Sequence, residues 1–380
     1  MNKKLIAVAL AALPVAAMAD VTLYGSLNAG LEHDTATNSA SNNGVHDYTS
    51  IIGFKGTEDL GNGLKTVWQV ESRVVIGGNS NTYGSTTSTN NKLASRQSFV
   101  GLDGGNLGEV RIGLINSSLK DLYNVDQWQY DGEMAGYKAE GNTGVNGLSV
   151  MTNQSNRVKN ALRYDSATFY GFSANALYGF GENKSQTNNI TKSSDLASVG
   201  LNYSISDFSF HYAYQKEFNP ETTTTSGSTT TTAAQKGSSP TSAHINYFEA
   251  GYNANNLYVG LAYQDMVGYD WTDGFAGDSG SNAVANQLKS REAALSVAYT
   301  IGAFTPKFTY AKGWDQEQGG SSISNTGYQQ YVVGVDYALS KRTTAEFAYG
   351  RLKADSASSL AVNGADTTYS TLALSMMHNF

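Results

Sequence analysis

Apolar and polar residues alternate one for one through most of this chain, a period that suits strands with two unlike faces and does not suit helices. In VTLYGSLNAGLE, Val21, Leu23, Leu27, Ala29 and Leu31 share one face, while Thr22, Tyr24, Ser26, Asn28 and Glu32 share the other. In LKTVWQVESR, Leu64, Trp68 and Val70 oppose Lys65, Gln69, Glu71 and Arg73. The pattern returns with Phe208, Phe210, Tyr212 and Tyr214 against Ser209, His211 and Gln215, and again with Leu257, Val259, Leu261 and Tyr263 against Tyr258, Gly260 and Gln264. It runs to the last residue, with Leu372, Leu374, Met376, His378 and Phe380 on one face. The final residues of a soluble chain normally fray in water. An amphipathic strand that ends on an aromatic side chain fits a membrane face better.

The connections separate a membrane barrel from a soluble sandwich, because they alternate in length. Tight turns rich in Gly, Asn, Asp and Ser fall at Leu60 to Gly63, Gly104 to Gly108, Ser204 to Asp207, Ala254 to Asn256, Gly302 to Ala303 and Leu339 to Lys341. Between them lie long polar stretches, including Asp34 to Asp47, Gly77 to Asn91, Asn183 to Asp195, Glu217 to Ser242, Met266 to Asn286, Asp315 to Thr326 and Asp355 to Asp366. Loops of this length are uncommon in compact domains. About sixteen strands result, an even number with one short-turn end and one long-loop end, as outer-membrane barrels show. The expected fold class is all-β: a transmembrane antiparallel β-barrel of sixteen strands whose first and last strands pair to remove the sheet's edges. The Thr-rich stretch Thr222 to Thr232 has nothing apolar to bury and reads as the exposed, mobile tip of one loop.

Composition agrees once the lumen is considered. The chain has 24 Tyr and 40 Gly but only 4 Pro and no Cys, which describes strands, turns and aromatic girdles and no disulfide framework. A mean hydropathy of −0.34 is low for a bundle of membrane helices. In a barrel, however, every second residue faces a polar interior. At the start, Lys3 and Lys4 precede the apolar run Leu5 to Ala17, and Ala17, Met18 and Ala19 supply a small-x-small cleavage pattern. Residues 1–19 therefore read as a secretory signal cut between Ala19 and Asp20, leaving residues 20–380 as the barrel.

Several blocks resemble a known family: DVTLYGSLNAGLE, IIGFKGTEDLGNGLKTVWQVES, RQSFVGLDGGNLGEVRIGLINSSLKD, NALRYDS, VVGVDYALSKRT and the ending MMHNF. They are similar to the general diffusion porins of Neisseria and related beta-proteobacteria. The chain departs from the family's common Ser-Pro at Ser166 and Ala167, and its fifth loop is unusually long and Thr-rich. The resemblance implies a homotrimer of sixteen-stranded barrels in the Gram-negative cell outer membrane, each with a water-filled pore narrowed by its third loop. The implied function is passive diffusion of ions and small hydrophilic solutes. The partners it implies are the outer-membrane lipid bilayer and, during biogenesis, the barrel-assembly machinery. The terminal strand likewise resembles the assembly signal of such barrels, carried by Leu372, Leu374, Met376, His378 and Phe380.

The constriction is expected in residues 116–156, the longest stretch without a clean strand, whose Tyr123, Trp128, Tyr130 and Tyr137 suit a segment packed against a wall. This third loop carries Lys120 and the acids Asp121, Asp126, Asp131, Glu133 and Glu140. Neighbouring strands place Arg73, Arg111, Lys159 and Arg163 on the polar face, with Lys55 and Lys65. Charge inside a membrane is costly and marks an ion path or an internal ion pair. Acid on the loop facing base on the wall would set a transverse field, with some charges pinning the loop and others lining the pore. The inward bias toward base predicts a modest anion preference.

Catalytic and cofactor readings find little support. Gly277, Asp278, Ser279 and Gly280 resemble a protease turn without a His-bearing partner block, and Ser117 to Lys120 has Ser-x-x-Lys spacing without its companion motifs. The five His show no clustered ligand spacing, so neither metal nor cofactor is expected. With 32 acidic against 25 basic residues there is no basic footprint for nucleic acid. Two alternatives remain: a solute-specific porin with an aromatic sugar track, and an outer-membrane adhesin or hydrolase barrel.

Overall fold

The computed structural model describes residues 20–37, 39–76, 93–128, 148, 150–151, 157–181, 184–187, 190–218, 221–226, 229–234, 242–269, 271 and 287–380. Sixteen long strands follow one another in chain order: β1 (Asp20–Ala36), β2 (Ile51–Gly61), β3 (Leu64–Arg73), β4 (Ser98–Asp103), β5 (Glu109–Asn116), β6 (Arg157–Asp165), β7 (Phe172–Gly179), β8 (Leu196–Ile205), β9 (Phe208–Phe218), β10 (Ser242–Ala254), β11 (Leu257–Val267), β12 (Lys289–Tyr299), β13 (Phe304–Gly313), β14 (Tyr328–Ala338), β15 (Thr343–Ala354) and β16 (Thr367–Asn379). Each pairs antiparallel with the next, and β1 pairs with both β2 and β16. The sheet is thereby closed, and no edge strand is left to bond in a medium without water.

The two pleat faces are inverted relative to a soluble protein. Leu23, Leu201, Leu261 and Leu374 are each more than half exposed on the outer face. Asn28, Glu32, Gln215, Glu249, Gln264, Glu292 and Glu346 are buried on the inner face. Exposed leucines are tolerable only where the surrounding solvent is hydrocarbon. The seam closes at the C-terminus: Phe380 N donates to Gly25 O at 3.0 Å and Gly25 N to Phe380 O at 3.1 Å. The Phe380 ring lies over Gly25, where an added Cβ would stand 2.6 Å from it.

The expected tight turns all occur, and the one at Gly61, Asn62 and Gly63 places all three residues at positive φ. The long connections depart from the expectation of irregular loops. Strand β1 continues through Asp34 to Ala36, and Asn42–Asp47 folds back to pair with it. Hairpins also form at Lys184–Thr187 with Ile190–Ser193 and at Gln316–Gln318 with Ser321–Ile323. The Thr-rich stretch, expected as a structureless tip, pairs as Glu221–Ser226 with Thr229–Ala234. Its β-branched side chains favour a pleated backbone even without an apolar face. The loop expected at Gly77 to Asn91 and the Gly277 to Gly280 motif lie outside the described residues.

A hydrophobic core sits inside the barrel, off centre. The segment after β5 turns inward at residues 117–128, and its Leu119, Tyr123, Val125 and Trp128 are buried, joined by Leu148, Val150 and Met151. They cluster with Ala213, Ile245, Tyr247, Ala262, Met266, Ala294, Ala311, Val332 and Ala348 from strands β9 to β15. Small inward residues on these strands leave the volume that the loop fills.

Candidate functional site

The inward segment is fastened by polar contacts to the wall it covers. Asn124 Nδ2 donates to Glu249 Oε1 at 2.6 Å, Tyr123 Oη to Gln264 Oε1 at 2.7 Å and Trp128 Nε1 to Thr309 Oγ1 at 3.0 Å. In the reverse direction, Tyr258 Oη donates to Asn124 O at 2.7 Å, Lys307 Nζ donates to Gln127 O at 2.7 Å, and the Ser296 hydroxyl donates to the Val125 carbonyl. Burial, followed by the nearby Glu292 and Glu249 carboxylates, pushes the Tyr123 phenol well above its ordinary range. It therefore remains a neutral donor. Lys307 also lies 4.6 Å from the Trp128 ring centroid and pairs with Asp336 at 2.9 Å and with Glu346.

On the neighbouring wall, the expected arginines meet the expected loop acid. Strands β5 and β6 pair Arg111 opposite Arg163. Arg163, with only 4% of its side chain exposed, binds Asp121 of the loop at 2.5 Å, Asp165 at 2.7 Å and the Asn116 carbonyl at 2.8 Å. Arg111 shares Asp165 at 2.5 Å, pairs with Glu109 at 2.7 Å and lies over the Phe99 ring. Two guanidinium groups and three carboxylates thus form one network at the root of the loop, with bidentate geometry at Asp165.

The other expected charges are dispersed. Lys65 stands opposite Asp59 and Asp103 near the short turns, away from the inward segment. Arg73 reaches Asp47 at 3.8 Å at the long-loop end. Lys159 leaves the Arg163 face, because strands β5 and β6 slip register between Gly113 and Ile115 and Asn160 adopts positive φ. Val158 takes the inward place and Lys159 is exposed. Asp126 accepts from the backbone N–H groups of Trp128 and Val150. Asp131 and Glu133, with Glu140, lie outside the described residues, as does Ala19; Asp20 begins β1. Leu372, Leu374, Met376 and Phe380 face outward and exposed, and His378 Nδ1 lies 2.9 Å from Thr343 Oγ1.

Two cavities flank the inward segment. One, of about 670 Å³, lies toward β1 and β16 and is lined by Arg96, Lys120 and Arg157 along with Asp126, Asp336 and Tyr48. The other, of about 590 Å³, lies toward β6 to β11 and holds Asp121, Arg163, Asp165, His211, Glu249 and Tyr258. Arg96, absent from the expected set, precedes β4 and lies outside the alternating run, whereas Arg157, also absent, opens β6 at the parity of Arg163 and alternation alone would have offered it. Lys307 and Glu346 sit at inward positions of their strands, and parity alone would have found them. A loop acid thus faces a wall base at Asp121 and Arg163, whereas at Glu249 the wall supplies the acid and the loop only the Asn124 amide and the Val125 N–H.

A family model described as Gram-negative porin matches residues 7–357. The chain is 36% identical over 390 residues to a major outer membrane protein P.IB of Neisseria gonorrhoeae, covering 100% of both chains. It is 34% identical over 364 residues to that of Neisseria meningitidis serogroup B strain MC58, covering 93% of this chain and 94% of the relative. Among solved structures, the anion-selective porin from Comamonas acidovorans superposes with a TM-score of 0.69 at 21% identity, covering 95% of this chain and 100% of that one. OmpF of Salmonella typhi in complex with daunomycin gives 0.59 at 18%, with 95% and 97% covered.

Proposed function

Because the chain belongs to the Gram-negative porin family, and so forms a diffusion channel in the cell outer membrane and is no enzyme, we propose that ions and small hydrophilic solutes pass between the inward segment and the wall of β1, β2 and β14 to β16, with a modest preference for anions. The 670 Å³ cavity with its three basic and two acidic side chains carries this reading. Both acids are partly offset: Asp336 by Lys307 and Asp126 by two backbone N–H groups. Arg96 is in turn paired with Glu71 at 2.7 Å, so the basic excess along this wall is slight, and a low-dielectric wall makes what remains of it felt by passing ions. The opposite cavity is more acidic, and its Asp121 and Asp165 are held by Arg163 and Arg111. These opposing contributions keep the preference small.

Assignment of residues 116–156 as the constricting loop and of Lys65, Arg73, Arg111, Lys120, Asp121, Asp126, Asp131, Glu133, Lys159 and Arg163 as charges along or near the pore is part of the same proposal. Lys120 and Asp126 line the proposed path, Asp121 and Arg163 line the cavity on the other side of the inward segment, and Lys65 and Lys159 lie away from both. Reversal potentials across a KCl gradient test it. Wild type should favour chloride slightly, and replacing both Arg111 and Arg163 by Gln should move the potential toward cations, more at low salt than at high. A wild type already selective for cations would refute the anion preference.

We further propose a homotrimer built through strands β16 and β1 to β5. The outward faces of these six strands carry Val, Leu, Ile, Met and a few aromatics but no tyrosine, whereas Tyr164, Tyr178, Tyr203, Tyr212, Tyr252, Tyr263, Tyr299, Tyr310, Tyr331 and Tyr337 point outward from the other strands. Tyrosine anchors at lipid headgroups, so the sector lacking it fits a protein neighbour. Removal of residues 1–19 as a signal, cleaved before the first residue of β1, and recognition of the terminal strand by the barrel-assembly machinery complete the reading.

A further inference from the structure

At the long-loop end of the barrel, beside the cavity that Tyr48 lines, three metal-binding side chains converge. Glu32 and Asp34 are two residues apart on β1 and so share its inward face. The Asn42–Asp47 strand folds back with Gly30 opposite His46, Glu32 opposite Gly44 and Asp34 opposite Asn42. His46 therefore lies on the same face, and Gly44 leaves space for its ring: a Cβ there would stand 2.8 Å from Nε2. One ligand atom from each of Glu32, Asp34 and His46 lies within 4.8 Å of the others, and Glu32 Oε2 is 3.5 Å from His46 Nδ1. The spacing of 32, 34 and 46 in the chain gives no sign of this, since only the backbone pairing brings them together.

The surroundings hold these ligands in place. Tyr48 Oη donates to Glu32 Oε1 at 2.6 Å and Thr371 Oγ1 donates to Asp34 Oδ1 at 2.6 Å. Hydroxyl donors behind carboxylates fix them in the way that outer-shell partners orient metal ligands. The Glu32 side chain is only 3% exposed, and among the described residues no Lys or Arg pairs with either acid. Two carboxylates this close, one of them buried and neither paired with Lys or Arg, repel each other when ionised. A divalent cation between them and the imidazole removes that repulsion.

We infer that Glu32, Asp34 and His46 form a binding site for a borderline divalent transition-metal ion of the zinc type, with water completing the coordination. One nitrogen and two oxygens suit such an ion, whereas calcium takes six to eight oxygens. Occupancy would tie the Asn42–Asp47 strand to β1 and, through Thr371, to β16, bracing the channel mouth at its seam.

The test is calorimetric titration of zinc chloride into the folded, full-length barrel in detergent after treatment with a chelator. One zinc per chain is expected at this site. His46→Gln should weaken that binding by about tenfold or more, as should the outer-shell change Tyr48→Phe. His33→Gln, on the opposite pleat face, should leave it unchanged. Heat-modifiable migration verifies that each variant is folded, and paramagnetically shifted imidazole protons in the NMR spectrum of the cobalt-bound wild type report His ligation without any substitution. Absence of stoichiometric zinc uptake by the folded wild type, or uptake indifferent to His46→Gln in a folded variant, would overturn the assignment.

Discussion

Replacing Trp128 by Ala should release the inward segment while leaving the barrel intact. Trp128 is 7% exposed, donates to Thr309 and receives Lys307 on its face. It thus combines ring burial, one hydrogen bond and one cation–π contact. Truncating a buried Trp to Ala costs about 3–5 kcal/mol, and this figure already includes the lost contacts around the ring. The sixteen-strand ladder does not depend on the ring, so the cost falls on docking of residues 117–128. At roughly 1.4 kcal/mol per decade, the local opening equilibrium should rise about a thousandfold. Trp128→Phe keeps the ring burial and loses the Nε1 donor, so about 1 kcal/mol is expected. Hydrogen exchange at the amides of Leu122 and Asp126, which donate to Leu119 and Tyr123, reads the opening directly. Single-channel recording reads its consequence: larger and noisier steps for Trp128→Ala and near-normal steps for Trp128→Phe. Unchanged exchange and unchanged conductance in Trp128→Ala would refute the view that this ring holds the segment in place.

Deleting Phe380 removes the residue whose backbone bonds both ways to Gly25, and should lower the outer-membrane level in cells with little effect on the conductance of whatever assembles; unchanged assembly kinetics would count against the terminal strand as a signal. Gly25→Leu should produce a defect of the same kind, because its Cβ would meet the Ile51 carbonyl at 2.5 Å and the Phe380 ring at 2.6 Å, read from the heat-modifiable band. Extraction in mild detergent should give a trimer with conductance steps in threes, whereas a monodisperse monomer in several such detergents would argue against the tyrosine-free sector as an interface.

Strand number, closure and the inverted faces were legible in the chain because backbone satisfaction and a two-residue period leave few alternatives in lipid. Val21 to Glu32 and Leu372 to Phe380 already declare which side meets hydrocarbon. Turn positions were equally readable, since Asn62 with its flanking glycines meets a local backbone demand. Other features depend on partners far apart in sequence. Lys159 counts as inward by parity, and only the slip between β5 and β6 moves it outward. The Thr-rich stretch has no second face to reveal its hairpin. Glu249, Lys307 and Trp128 lie more than a hundred residues from at least one of the groups they meet on the loop or wall. The family resemblance suggested a loop in the lumen, but which charges pair within it follows from how one irregular segment fills the space left by small wall residues. A periodic pattern fixes the face on which a side chain stands, and only closure of the barrel around the loop fixes what it touches.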